Sequence, residues 1–145
     1  MMMLGVVAGA CAGASLLLLT HLAPFFAISR VVPDIDQPTT FFFKKLSRRE
    51  AHILGAAIHI VTATLFGALY AYFVREQLAP GFTLLPLLGW GGVLALFMGG
   101  IVMPLEGHGI FGIKEDRWFP MDLFLTNFLW AFLFWVFVHV WIGIA

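Results

Sequence analysis

Charge is what this sequence has least of: charged residues make up 11% of its 145 positions and hydrophobic ones 61%. Soluble domains carry roughly a quarter charged residues, so this scarcity, with a mean hydropathy of +0.98, excludes an ordinary water-soluble globule. Cysteine is nearly absent as well. Cys11 stands alone, which excludes an internal disulfide and leaves the residue a small packing group. There is no excess of either sign, with eight basic and eight acidic residues, so nucleic acid is not an implied partner. Catalytic patterns are missing too. The chain has no H-E-x-x-H, no phosphate-binding glycine loop before a helix, no paired buried carboxylates and no Ser/His/Asp set at one depth, and no catalytic residue is assigned. Glu106, His108, Asp122 and Arg117 would be the groups at hand for a membrane enzyme, but they specify no reaction.

What the chain does have is long apolar runs, at residues 3–29, 51–74, 82–104 and 120–144. Each reaches the roughly 20 residues needed to cross a bilayer as a helix. The runs are continuous rather than alternating, which argues against membrane strands. The expected fold is an all-α integral membrane bundle of four transmembrane helices, a single domain with loops at 30–50 and 105–119. The first run lacks a basic leader region and is too long for a signal-peptide core, so it is read as a span. Arg30, Lys44, Lys45, Arg48 and Arg49 lie in one loop and Lys114 and Arg117 in the other, while Arg75 alone lies on the opposite side. The positive-inside rule then places both loops in the cytoplasm and both termini outside, in a plasma (prokaryotic inner) membrane. Helix ends are marked locally. Ser47 and Glu50 have capping-box spacing, Pro120 and Asp122 suit a first helical turn, and Pro104 suits a helix end.

Small residues recur where helices must approach closely: Gly5, Gly9 and Gly13 at four-residue spacing in the first run, and in the second Gly55, Ala63 and Gly67, which share one face with His59 at the same spacing. The fourth run, in contrast, is bulky and aromatic. His59 is therefore expected to point at protein. Counting inward from Arg30 and Glu50 at about 1.5 Å per residue puts His21 and His59 at a similar depth of roughly 13 Å. Thr20, Thr62 and Asn127 fall near that level, and His139 lies nearer the outer interface. Three uses compete for this layer: hydrogen bonding that fixes helix packing; axial ligation of a tetrapyrrole, either haem b or a (bacterio)chlorophyll, by His21 and His59; and a proton or ion path. The last is weakened because no carboxylate lies deep in a run.

In the loops, Glu106 and His108, with His52, are candidate ligands for a divalent metal. The glycines around them suit a structural turn equally well. Phe41, Phe42 and Phe43 can enter the interface while Lys44, Lys45, Arg48 and Arg49 meet anionic headgroups of the cytoplasmic leaflet. The stretches "GAAIHIVTATLFGALYAYFV" and "GWGGVLALFMGGIVMPLEGHGIFG", with Pro104, Gly107, Gly109, Phe111 and Gly112, resemble small membrane proteins of the YagU-like kind. That resemblance implies a four-helix membrane fold and no known reaction. The expected function is a non-catalytic accessory or structural subunit, packing through glycine-rich faces against other membrane subunits or itself. A tetrapyrrole-binding subunit and a small oligomeric channel or transporter are the alternatives.

Overall fold

A computed structural model describes residues 1–22, 40–41, 44–45, 47–105, 107–114 and 117–141. Four helices among them are long and apolar enough to cross a membrane: Met2–Leu22, His52–Arg75, Leu84–Leu105 and Phe119–Val140. These are α1 to α4, with α2 starting one turn earlier, at Arg48. The only strand pairing among the described residues is a two-residue antiparallel ladder in the first loop. It joins Thr40–Phe41 to Lys44–Lys45, with Thr40 opposite Lys45 and Phe41 opposite Lys44.

Local chemistry explains the helix ends. At α2 the Ser47 side chain accepts from the Glu50 amide at 3.3 Å, and the Ser47 amide donates to Glu50 Oε2 at 2.9 Å. This closed capping box satisfies amides that would otherwise lack helical acceptors. The other end of α2 is a Schellman motif, in which Leu78 N donates to Phe73 O at 2.8 Å and Gln77 N to Val74 O at 3.2 Å. Gln77 occupies the left-handed position, with φ 58°, that glycine usually fills. Pro120 lies in the first turn of α4, where its missing amide costs nothing.

Two helices change pitch. The ladder of α3 is α-helical over Leu84–Phe97, widens to a π turn over Met98–Val102 and closes with Met103–Leu105. The end of α4 widens likewise over Phe137–Trp141. In α3 the wide turn contains Gly99, against which the Phe111 ring packs, and Phe111 stacks on Phe124 at 6.1 Å. The segment after α3 thus folds back under the helix end.

The helices neighbour one another in the order α2, α1, α4, α3. Between α1 and α2 the seam is made by absence of side chains. A Cβ on Gly9 would stand 2.6 Å from Ala63 O, and one on Gly13 would stand 2.6 Å from Ala63 Cβ. Gly5 meets Gly67 and Ala71 in the same way. α4 packs on this pair through Phe134, fully buried, whose ring would lie 2.9 Å from a Cβ on Gly67. On its other side α4 receives Gly91 of α3, where a Cβ would be 2.8 Å from Asn127 O. Leu16, Leu87, Phe134 and Val138 are the large side chains fully enclosed between the helices.

An aromatic cluster closes the end of the bundle near the α2–α3 connection. Tyr70 lies 5.8 Å from Phe82, 6.0 Å from Trp90 and 6.2 Å from Phe134. Its hydroxyl donates to Gly81 O at 2.7 Å, tying the connecting loop to the helix it leaves.

Candidate functional site

The α1–α2 seam runs antiparallel, so each step toward the C-terminal end of α1 meets an earlier residue of α2. Gly5 faces Gly67 and Ala71, Gly9 faces Ala63 and Gly67, and Gly13 faces Ala63, with His59 Nε2 3.9 Å from a Cβ placed on Gly13. Two turns further on, His21 meets His52. Their Nε2 atoms are 2.9 Å apart, and the rings stand edge to face with centroids at 4.8 Å.

This register corrects the depth count. Gly13 and His21 are eight residues apart, about 12 Å along a helix, so His59 and His21 occupy different levels. Arg30, the reference point for that depth, lies outside the described residues, whereas the glycine contacts set the actual alignment. The partner that meets His21 is therefore His52 rather than His59. The two rings expected to share a layer do not face one another across a common space.

Ring orientation at the His21–His52 pair follows from acceptor chemistry. His21 Nδ1 lies 2.8 Å from Leu17 O. A carbonyl oxygen only accepts, so Nδ1 carries a proton, and in the tautomer protonated there Nε2 is the acceptor. The proton between the rings then belongs to His52 Nε2. His21 is exposed and His52 half-buried, and the pair sits at the end of the seam, one turn beyond the Ser47–Glu50 cap.

Elsewhere in the helices, several threonines, Asn127 and His139 turn back onto their own backbone. Thr20 donates to Leu16 O at 2.9 Å, Thr62 to Ile58 O at 2.8 Å, Thr64 to Ile60 O at 2.7 Å and Thr126 to Asp122 O at 2.7 Å. Asn127 Nδ2 donates to Leu123 O at 2.8 Å, and His139 Nδ1 pairs with Trp135 O at 3.0 Å. Thr20, Thr62 and Asn127 thus bond within their helices rather than to one another. The indole N–H groups of Trp90 and Trp130 are buried without a hydrogen-bond partner among the described residues.

The other sequence candidates are dispersed. Gly55 is buried on the face of α2 that carries His59. Glu106 lies outside the described residues, and His52 is engaged with His21. His108 belongs to the turn after α3, where its amide donates to Met103 O at 3.0 Å and its carbonyl accepts from Lys114 N at 3.2 Å. No group of three or more His, Cys, Asp or Glu side chains suited to a metal forms among the described residues. Lys44 and Lys45 contribute backbone to the short ladder, Arg48 opens α2 and Arg49 is exposed. What sequence reasoning missed is the His21–His52 contact itself. Its signal was present: laying Gly5, Gly9 and Gly13 antiparallel to Gly67 and Ala63 and continuing for two turns brings His21 to His52.

Comparison with protein-family models, curated proteins and solved structures finds no match to this chain.

Proposed function

We propose that the chain is an integral membrane protein that crosses the bilayer four times and serves as a non-catalytic structural subunit of an assembly with itself or other membrane proteins. The observation that carries this reading is the closure of helix polarity. Thr20, Thr62, Thr64, Thr126 and Asn127 bond to their own helices, while Leu18, Ile53, Val61, Leu65, Val93 and Leu96 are each exposed on an apolar outer surface. Such a surface suits lipid or another helix.

The glycines of α1 and α2 are used within the chain, so contacts between subunits fall to other faces. Gly89 and Gly100 of α3 have nothing within 4 Å of an added Cβ and leave room for a neighbouring backbone. By the positive-inside rule, the loops at 30–50 and 105–119 face the cytoplasm, where Lys44, Lys45, Arg48 and Arg49 meet anionic headgroups.

The test is native mass spectrometry after mild extraction. A stable oligomer or co-purifying subunit is expected, weakened by Gly89→Leu or Gly100→Leu with the fold retained. A lone monomer that conducts ions in liposomes, or one that carries a Soret band, would replace this reading with the channel or tetrapyrrole alternative.

A further inference from the structure

The two imidazoles at the end of the seam bring two nitrogen donors together. Nε2 of His21 and Nε2 of His52 lie 2.9 Å apart, each mounted on a long helix. An ion about 2.0–2.1 Å from each nitrogen, the usual imidazole bond length, would see that separation as an angle of about 90°. A widening of only about 0.4 Å would open the angle to about 109°, the tetrahedral value that zinc prefers.

A second feature points the same way. Metal-bound histidines characteristically donate their other ring N–H to a carboxylate or backbone carbonyl, which fixes the tautomer and aims the free lone pair at the ion. His21 already does this, with Nδ1 2.8 Å from Leu17 O. Thr20 and the hydrophobic seam continue beneath the pair, with Thr20 and Leu16 buried, so the base is firm, while His21 is exposed.

We propose that His21 and His52 form a two-imidazole site for a first-row divalent transition ion, Zn²⁺ or Cu²⁺, that clips α1 to α2 at the end of the glycine seam. Nitrogen donors select these ions over Mg²⁺ and Ca²⁺, which take oxygen. On binding, His21 keeps its Nδ1 proton and ligates through its existing lone pair. The proton on His52 Nε2 transfers to His52 Nδ1 through solvent, and the freed Nε2 lone pair forms the second bond. Water completes the coordination, and nothing is oxidised or reduced. The site does not depend on whether the chain serves as an assembly subunit.

The experiment titrates ZnCl₂ or CuSO₄ into the full chain in detergent, purified without a histidine tag. It is followed by calorimetry and, for Cu²⁺, by paramagnetic resonance for nitrogen hyperfine coupling. One equivalent is expected. His21→Ala, His52→Ala and His52→Gln should each weaken binding about tenfold or more, with His108→Ala and His139→Ala unchanged. His52→Gln keeps a donor toward His21, so its circular dichroism and elution volume separate lost ligation from lost folding. No saturable binding by the parent chain, binding that survives both His21→Ala and His52→Ala, or equal loss in His108→Ala would each overturn the site.

Discussion

Gly9 shows how much of this molecule rests on hydrogen atoms standing where side chains would. A Cβ there would be 2.6 Å from the Ala63 carbonyl and 3.1 Å from Gly67 Cα, so the obstacle is backbone and cannot rotate aside. Gly9→Val should therefore push α1 off α2 and destabilise by about 1–3 kcal/mol, the usual cost of overpacking. Thermal unfolding in detergent checks this, with Gly89→Ala as the internal control. Gly89 meets nothing within 4 Å, so its substitution should leave monomer unfolding within about 0.5 kcal/mol of the parent. Equal effects at the two positions would contradict the seam as described.

At the scale of elements, Gln77 and Phe111 are the two described non-glycine residues with positive φ, at 58° and 54°, and they differ in what holds them there. Phe111 is kept in place by its ring, which packs on Gly99 and stacks on Phe124. Gln77 is exposed and serves only the helix end. Gln77→Gly should relieve the left-handed penalty and stabilise by about 1 kcal/mol, measured as a raised unfolding midpoint; a lowered midpoint would show that the glutamine side chain contributes. This element was only partly legible. The Ser47–Glu50 capping box and Pro120 could be read directly, since caps depend on residues three apart, and the apolar runs marked the four helices by length alone. The glycine end-mark is missing after Arg75, so the motif there was invisible. The π turn of α3 was also unreadable, because no local propensity marks it and the Gly99–Phe111 contact made there joins residues far apart in sequence. The His21–His52 contact failed for a related reason. Depth was counted from charged loop residues, whereas helix alignment is set by which small residues nest together.

For the whole molecule, orientation is the property most open to a direct test. With Cys11 replaced by alanine, a cysteine introduced at Leu78, in the α2–α3 connection, should react from outside intact cells with a membrane-impermeant thiol reagent. One introduced at Lys114 should react only after permeabilisation. The opposite pattern would invert the topology expected from the distribution of basic residues. The seam between α1 and α2 also has a consequence in time. Every residue that builds it, from Gly5 to Ala71 and including the His21–His52 contact, is synthesised before the first residue of α3. N-terminal units commonly assemble first during synthesis, so this helical hairpin can close while half the chain is still to come. The α3–α4 pair would then meet a surface already built, on which Phe134 packs over Gly67.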